Sequence, residues 1–459
     1  MENSSHVVIL PFPAQGHVIP LMELSHCLVE HGFKITFVNT DFNHRRILSA
    51  LSEKGDLCRG INMVSIPDGL GPGEDRNDLG RLTEGFTVVM PGHLEKLIRE
   101  INDAEGESCK IKWMVADANM GWSFAVAKKM GIRAVSFWPP SAALLAFMLR
   151  IPKFIEDGVL DERGLPKRKE TIQLSPGMVP IETTEFSWNH IGDPKGQPII
   201  FQLILQNNQA TELADVIICN SFHEIEPATF ALHPNILPIG PLMADQKFEK
   251  PIGHFWQEDM TCLHWLNEQP NNSVVYVAFG SFTVFDRIQL EELAHGLELT
   301  EQPFLWVVRA DFTDGSSNEW LEGFRTRVKG QGMIVSWSPQ QQVLAHPSIA
   351  CFISHCGWNS TMEGVRNGVP FLCWPYFTDQ FLNQSYICNS WRIGFKLTPD
   401  ERGIISRERI KEKVEELLAD EELKARACLW RDIAHRSINE GGSSYENFKK
   451  FVNIISQDH

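Results

Sequence analysis

The sequence has no excess of positive charge and no long hydrophobic run. Its 42 Lys and Arg residues stand against 58 Asp and Glu residues, which gives a formal net charge of −16 at pH 7. A negative field of this kind repels nucleic-acid backbones and anionic lipid surfaces. No stretch approaches the roughly 18 apolar residues that span a bilayer, and residues 1–6 contain no basic segment leading into a long apolar run. We therefore expect no nucleic-acid partner, no membrane association and a cytoplasmic location.

Signals for a metal site or a disulfide framework are also missing. The ten cysteines include no C-x-x-C pair, and several lie in apolar runs such as Val216–Cys219, as expected of reduced, mostly buried thiols in a cytosolic protein. Neither zinc-ligand spacing nor a D-x-D triplet for a metal diphosphate occurs. We expect no metal site and no permanently bound cofactor.

The sequence does contain a repeated alternation of short apolar segments and amphipathic segments. At about 150 residues per domain, 459 residues suggest two or three domains, and 43% hydrophobic residues are enough for large cores. The clearest strand predictions are 7–12, 34–39, 113–116, 134–138, 273–279, 304–308, 333–337, 349–355 and 371–374. Short apolar strands that alternate with helices predict parallel sheets covered by helices.

A polar, irregular segment, residues 246–259, interrupts this alternation and contains Pro251 and Gly253. We interpret it as a linker between two doubly wound α/β domains, 1–245 and 260–440. Residues 441–459 are expected to form a C-terminal helix that packs back on the first domain.

Two predicted strand ends in the first domain carry polar groups suited to acid–base chemistry. His17 lies in the first turn of a helix directly after a glycine-containing loop, where the positive end of the helix dipole favours a neutral imidazole. Asp117 ends an apolar strand, and a carboxylate beside a histidine fixes its tautomer and stabilises its protonated form. Both residues also have simpler interpretations, since His17 can face solvent and Asp117 can be a helix N-cap. The two residues are nevertheless candidates for a general base and its partner.

A second group of polar residues follows the predicted strand that ends at His355. Gly357 permits close approach of the backbone to a ligand, and Asn359 and Ser360 open a helix. The first N–H groups of a helix have no partner within it, and they suit the oxygens of a diphosphate.

Two residues near this helix are suited to the rest of a nucleotide. Glu363, one turn farther along, can accept hydrogen bonds from both hydroxyls of a ribose, and Trp337 offers a flat face on which a base can stack. Each residue alone also fits an N-capped helix with core tryptophans, so only the joint pattern is informative.

That joint pattern, residues 337–380, resembles the 44-residue signature box of the plant family 1 UDP-dependent glycosyltransferases, in the order W-x-P-Q, H-C-G-W-N-S, E, G-V-P, W-P and D-Q. The similarity continues at residues 11–21, 115–117 and 262–280, so it covers nearly the whole chain. The resemblance implies an α/β GT-B fold, in which two Rossmann-like, doubly wound domains face each other across a cleft. It also implies an inverting transfer of a sugar from a UDP-sugar to an acceptor bound by the first domain.

The resemblance assigns roles residue by residue. His17 would be the general base and Asp117 its partner. The residues that would bind the UDP-sugar are Ser281, Trp337, Ser338, Gln340, His355, Trp358, Asn359, Ser360, Glu363, Asp379 and Gln380.

The end of the box also suggests the donor. In the resembling family a terminal glutamine, here Gln380, accompanies glucose more often than galactose, and an arginine at the position of Trp358 often accompanies glucuronate. Asp379 would repel a sugar carboxylate if one lay nearby. UDP-glucose is therefore the expected donor co-substrate.

The acceptor is indicated only by composition. The residues expected to contact it are Gly16, Met120, Trp138, Ser141, Phe186 and Trp188. Their segments are rich in aromatic and aliphatic residues, which predicts a flat or hydrophobic aglycone. A phenolic compound such as a flavonoid is the first expectation, and a terpenoid or steroid alcohol is the alternative.

Three positions depart from the family pattern. Ser141 stands later in its segment than the Ser or Thr of many relatives, which puts its contact with the sugar in doubt. His264 and Ala350 replace a common Asp and a common Gly, at positions peripheral to the chemistry.

Two other classes of protein fit the sequence less well. A nicotinamide-dependent oxidoreductase would need a G-x-G-x-x-G motif after its first strand, and residues 12–16 read FPAQG instead. A non-catalytic protein that binds nucleotide sugars would need neither His17 nor Asp117. We therefore expect an enzyme, and we expect it to be a monomer.

Overall fold

The computed structural model describes residues 5–50, 60–106, 109–242, 254–309 and 318–457. The chain forms two compact units, the first comprising Met1–Gln257 with Arg436–His459 and the second comprising Glu258–His435. Most of the linker predicted at 246–259 lies outside the described residues, and the boundary between the units falls after Gln257.

The first unit is built on a parallel sheet of seven strands. The strands of this sheet are β1 (His6–Leu10), β2 (Lys34–Thr40), β3 (Ile61–Ile66), β4 (Ile111–Asp117), β5 (Arg133–Trp138), β8 (Val216–Cys219) and β9 (Ile236–Pro238). Two further strands, β6 (Thr171–Ile172) and β7 (Ile181–Glu182), form a separate antiparallel pair. The helices of the first unit along this stretch are α1 (Gln15–Glu30), α2 (Asp41–Ala50), α3 (Leu79–Ala104), α4 (Trp122–Lys129), α5 (Ala142–Leu149), α6 (Ile151–Glu156), α7 (Gln197–Ala210) and α8 (Pro227–Leu232). The strand order is β3-β2-β1-β4-β5-β8-β9.

The second unit repeats this design with six parallel strands. They are β10 (Val274–Ala278), β11 (Phe304–Val307), β12 (Gly332–Val335), β13 (Ile349–Ser354), β14 (Phe371–Cys373) and β15 (Gly394–Lys396), in the order β12-β11-β10-β13-β14-β15. The helices are α9 (Thr261–Asn267), α10 (Arg287–Leu299), α11 (Asn318–Arg327), α12 (Gln340–Leu344), α13 (Trp358–Asn367), α14 (Gln380–Ser385), α15 (Arg407–Ala419) and α16 (Glu421–Ile438). This strand order is that of the Rossmann fold.

The strands form because their sequences are apolar on both faces, as a sheet covered by helices on both sides requires. All five residues of β1 and all six of β13 are buried. The helices form where apolar residues recur at helical spacing, and α1 is followed by Gly32, whose φ of +85° lets the chain reverse into β2. The strand predictions made from the sequence are confirmed to within a few residues at each end.

A final helix, α17 (Ser443–Ser456), completes the first unit. Phe451 and Ile455 are fully buried in the same hydrophobic cluster as Val7, and the Asn447 side chain donates a hydrogen bond to the Pro238 carbonyl of β9 at 3.0 Å. Burying such a side chain stabilises the fold by about 1.5–3 kcal/mol. The C-terminal segment is thus part of the core of the first unit.

Each sheet has one topological switch point, at which the strand order reverses direction. It lies between β1 and β4 in the first sheet and between β10 and β13 in the second. Leu10 pairs with Ala116 at the first, and Ala278 pairs with Ser354 at the second. Ligands of open α/β sheets bind beyond the carboxyl ends of the strands at such points. The residues that follow these four strands are therefore the first place to look for a site.

Candidate active site

His17 and Asp117 meet at the switch point of the first unit, although 100 residues separate them in the sequence. Asp117 is the last residue of β4, and His17 lies in the first turn of α1, directly beyond β1. The Nδ1 atom of His17 lies 2.6 Å from Oδ2 of Asp117. The Asp117 side chain is fully buried, whereas 22% of the His17 side chain is exposed. The imidazole is thus held from one side and open to solvent on another.

The second oxygen of Asp117 has a different role. Oδ1 accepts a hydrogen bond from the Asn119 backbone N–H at 2.8 Å and caps the 3₁₀ turn Ala118–Met120. The two oxygens of Asp117 therefore have separate partners, one the His17 imidazole and the other the Asn119 N–H. Since the carboxylate only accepts hydrogen bonds, Nδ1 of His17 carries the proton, and Nε2 is the nitrogen that can act as a base.

The turn after Asp117 is fixed by a residue that the sequence did not single out. Asn207 of α7 accepts from the Gly121 N–H and donates to the Asn119 carbonyl, both at 3.2 Å. A Cβ atom at Gly121 would lie 2.6 Å from the Asn207 side-chain oxygen. No local motif marks Asn207, because its partners are more than 80 residues away in the chain.

A buried polar network connects the nucleotide-binding candidates of the second unit. The Gln340 amide nitrogen donates to Oε2 of Glu363 at 2.6 Å and to Oγ of Ser360 at 2.8 Å. The hydroxyl of Tyr276 lies 2.8 Å from Oγ of Ser338 and donates to Oε1 of Gln340 at 3.0 Å. The Gln340 amide is therefore fixed in one orientation, with its nitrogen toward Glu363.

Burial changes the acid–base behaviour of this network. Desolvation raises the pKa of Glu363 to about 7, although the hydrogen bond from Gln340 opposes the shift. Desolvation also raises the pKa of Glu258 to about 7. Glu363 can therefore gain or lose its charge near neutral pH.

His355 follows β13 and lies against two glycines. A Cβ atom at Gly280 would be 2.4 Å from the His355 Nε2 atom, and one at Gly357 would be 2.5 Å from it. Burial, together with a smaller effect of the nearby charge of Arg309, lowers the pKa of His355 to about 4. His355 is thus a neutral hydrogen-bonding group at neutral pH, and both glycines are required because any side chain would displace its ring.

The loop that carries Ser281 is held by Arg309. The guanidinium of Arg309 donates to the Gly280 carbonyl and, at 3.0 Å, to the Thr283 carbonyl. Arg309 is only 4% exposed. A buried cation therefore lies beside the loop in which the sequence predicts a phosphate contact, and it adds positive potential there.

The helix α13 begins at Trp358, three residues after His355 and one residue before Asn359, which the sequence predicts to open it. Its N-cap is Gly357, which makes no side-chain hydrogen bond, and its first three residues are Trp358, Asn359 and Ser360. The positive end of the helix dipole therefore points out of the carboxyl edge of the sheet, where an anion is stabilised.

The last two residues of the signature box lie at the start of α14. Oε1 of Gln380 accepts the backbone N–H groups of Tyr376 and Phe377 at 2.7 and 2.8 Å. The amide of Gln380 is therefore oriented with its nitrogen directed away from these groups. Asp379 is the N-cap of the helix and accepts a hydrogen bond from Asn383 at 2.7 Å.

The residues predicted to contact the acceptor lie mostly in the interior of the first unit. Gly16 is exposed, whereas the side chains of Met120, Trp138 and Ser141 are at most 3% exposed. Ser141 is the N-cap of α5 and accepts the Leu144 N–H.

The two aromatic residues of the acceptor prediction pack in a stack of rings. Phe186 and Trp188 are each 1% exposed, their ring centroids are 4.7 Å apart, and the indole of Trp188 donates to the Gly164 carbonyl at 2.9 Å. Phe154 also stacks on Phe186, with ring centroids 5.6 Å apart. These contacts belong to core packing, and the composition of this segment gives no structural support for a flat aromatic ligand. An acceptor contact by these residues stays a prediction.

Metal-binding side-chain clusters and membrane-spanning helices are missing from the described part of the chain. Within it, no group of three or more His, Cys, Asp or Glu side chains could hold a metal ion. Nor does any helix built from those residues have the length and apolarity needed to cross a membrane.

Comparison with known proteins identifies the family and the fold of the chain. The family described as UDP-glucoronosyl and UDP-glucosyl transferase matches residues 90–436. The chain is 45% identical to UDP-glycosyltransferase 83A1 of Arabidopsis thaliana, with 99% of each chain covered. It is 35% identical to 7-deoxyloganetin glucosyltransferase of Catharanthus roseus, covering 99% of this chain and 97% of that one.

Solved structures show the same fold. A UDP-glucosyltransferase from Polygonum tinctorium capable of glucosylating indoxyl superposes with a TM-score of 0.83 at 27% identity, with 99% of each chain covered. Os79 from O. sativa in complex with UDP gives a TM-score of 0.80 at 27% identity, over 98% of this chain and 100% of that one. The chain therefore belongs to this family of plant enzymes and is a UDP-glycosyltransferase with the GT-B fold.

Proposed function

We propose that this enzyme transfers glucose from UDP-glucose to a hydroxyl group of a small hydrophobic plant metabolite, with inversion at the anomeric carbon. The observation that carries the proposal is the short hydrogen bond between His17 and the buried Asp117 at the switch point of the first sheet. A metabolite hydroxyl is a weak nucleophile at neutral pH, and an oriented imidazole is the group that can remove its proton.

The reaction has one bond made and one bond broken. The acceptor oxygen forms a bond to the anomeric carbon while the bond from that carbon to the diphosphate oxygen breaks, and the electron pair leaves with UDP. The acceptor proton passes to Nε2 of His17. The imidazolium that forms is stabilised by Asp117, whose negative charge lies 2.6 Å from Nδ1.

Stabilisation of the departing UDP is assigned to the second unit. Negative charge grows on the diphosphate, and the N-terminus of α13 and the hydrogen bond of a neutral His355 face that charge in this proposal. Ser281 would contribute from the loop held by Arg309. Trp337 would stack on uracil, and Glu363 would accept the ribose hydroxyls.

The preference for glucose is proposed from Asp379 and Gln380. Asp379 would accept a hydrogen bond from one sugar hydroxyl, and the oriented amide nitrogen of Gln380 would donate one to its neighbour. A galactose epimer would leave such groups unpaired, which costs about 1–3 kcal/mol per lost partner. Trp358 supplies no cation for the carboxylate of glucuronate.

A competition assay tests the donor. UDP-glucose, UDP-galactose and UDP-glucuronate at equal concentration are offered with one accepted acceptor, and the products are separated by mass and retention. Glucose transfer should exceed galactose transfer by roughly tenfold or more. A clear preference for either rival would refute the donor assignment.

The acceptor class is proposed as a phenolic compound, with a terpenoid or steroid alcohol as the second candidate. Two relatives, 7-deoxyloganetin glucosyltransferase of Catharanthus roseus and Linamarin synthase 1 of Manihot esculenta, at 35% and 33% identity, are not named for a flavonoid, so both candidates are tested. UDP release with UDP-glucose is measured against matched panels of flavonoids, simple phenols and terpenoid alcohols. Turnover confined to the alcohols would refute the phenolic assignment.

We also propose a monomeric enzyme of the cytoplasm. The nine described cysteines are all free thiols, as a reducing compartment favours. Light scattering of the purified protein tests the oligomeric state, and fractionation of cells that express the full chain tests the location.

A further inference from the structure

The side chain of Asn383 connects Asp379, the N-cap of α14, to the backbone of Cys356, which precedes α13. Its side chain lies on α14 and is fully buried. The amide nitrogen Nδ2 donates to Oδ2 of Asp379 at 2.7 Å and to the carbonyl oxygen of Cys356 at 2.9 Å. A carboxylate and a carbonyl only accept hydrogen bonds, so the chemistry of the partners fixes the orientation of the amide.

Both partners of Asn383 are in backbone segments that need support. Cys356 has a φ of +66°, a conformation that costs a non-glycine residue on the order of 1 kcal/mol, and it directly precedes Gly357, the N-cap of α13. Thr378 has a φ of +44°, and its hydroxyl donates to the other oxygen of Asp379 at 3.1 Å. Asp379 is therefore held at both oxygens.

Packing alone does not account for an amide at this position. The Oδ1 atom of Asn383 is buried and has no hydrogen-bond partner among the described residues. A leucine has the same branched shape and no polar atom, so it would remove the unsatisfied oxygen, whose burial costs about 1–3 kcal/mol. The useful atom is therefore Nδ2, which a leucine would lack.

We infer that Asn383 is a positioning residue that determines sugar selectivity, because it holds the Asp379 carboxylate in one orientation relative to the loop that begins α13. The inference rests on the proposed function, in which Asp379 accepts a hydrogen bond from a hydroxyl of glucose. A carboxylate free to rotate could accept from an equatorial or an axial hydroxyl. Selectivity between UDP-glucose and UDP-galactose would then fall more than the rate with glucose itself.

The experiment compares the ratio of kcat/KM for UDP-glucose to kcat/KM for UDP-galactose in the wild type, in Asn383→Leu and in Gln384→Leu. The ratio does not depend on the fraction of correctly folded enzyme, so a purely structural loss leaves it unchanged. Gln384 is the matched control, because it is the next residue of α14 and is 4% exposed. If Asn383→Leu does not fold, Asn383→Ala is measured in the same way.

We expect the ratio to fall roughly five- to tenfold in Asn383→Leu and to stay within about twofold of the wild type in Gln384→Leu. The dissociation constant for UDP, which lacks the hexose, should change less than about threefold. An unchanged ratio in Asn383→Leu, or an equal fall in Gln384→Leu, overturns the inference while the donor assignment stands. A wild-type enzyme with no preference for glucose overturns the donor assignment and this inference with it.

Discussion

Replacing Asp117 by asparagine is the sharpest test of the catalytic geometry. Oδ1 of Asp117 accepts the Asn119 N–H, so in Asp117→Asn the amide oxygen must remain there, and the new NH₂ group must face His17. Two donors cannot share one hydrogen bond. Nδ1 of His17 therefore becomes an acceptor, and the ring proton moves to Nε2.

The size of the effect follows from the lost base. With its proton on Nε2, the imidazole has no lone pair for the acceptor hydroxyl, and the contribution of general base catalysis, about 10²- to 10⁴-fold, is lost. This corresponds to about 2.7–5.5 kcal/mol of transition-state stabilisation. Asp117→Ala removes the partner without imposing the wrong tautomer, so we expect it to retain more activity than Asp117→Asn.

The assay is steady-state kcat for both variants with one hydroxyl acceptor, together with UDP binding by calorimetry. UDP affinity should remain near that of the wild type, because Asp117 belongs to the first unit and the proposed nucleotide residues belong to the second. A more acidic phenol should reduce the penalty, since it ionises with less help. Asp117→Asn with turnover within threefold of the wild type would refute the reasoning, and so would an alanine variant that is clearly worse than the asparagine variant.

Three further predictions can be checked with the same protein. His17→Ala should lower kcat by at least about 10²-fold and leave UDP binding nearly unchanged, and wild-type turnover in this variant would show that His17 is not the base. Burial raises the pKa of Glu363 from 4.5 to about 7, so between these pH values the folded protein holds a proton there that the unfolded chain releases. The contribution of this group to stability is therefore fully present below about pH 4.5 and is lost as the pH rises through about 7. The melting temperature of the wild type relative to Glu363→Gln should therefore fall between pH 5 and pH 8, and a constant difference would contradict the shift. Activity should survive excess EDTA, because the sequence offers no D-x-D pair for a metal diphosphate, and loss of activity restored by Mg²⁺ or Mn²⁺ would contradict this.

The class of fold could be predicted from the sequence alone, and so could those candidate site residues that lie close together in the chain. Apolar runs such as 349–354 and the polar residues that follow them are read from neighbours in the chain, because strand formation and helix capping depend on spacing over a few residues. For the same reason the group from Trp337 to Gln380 is recognisable as a signature from the order of its residues alone. The position of His17 at the start of a helix is also local information.

Contacts between residues far apart in the chain, and the burial that results from them, became visible only in the tertiary structure. The strand order brought His17 to Asp117 and showed that one carboxylate both orients the imidazole and caps a turn. The structure also showed that Phe186 and Trp188 are buried and stack on each other, which their positions in the sequence do not reveal. Exposure is set by which elements pack together, and side-chain chemistry in the sequence does not contain that information.

The supporting residues of the site came from the structure for the same reason. No sequence motif marks Tyr276, Asn207 or Asn383. The role of each residue follows from the atoms to which it is hydrogen-bonded. Tyr276 orients Gln340 across 64 residues of sequence, and Asn207 supports the turn after Asp117 across 88. A local sequence pattern can therefore predict candidate catalytic and binding residues. The residues that orient them depend on how strands and helices from distant parts of the chain pack together.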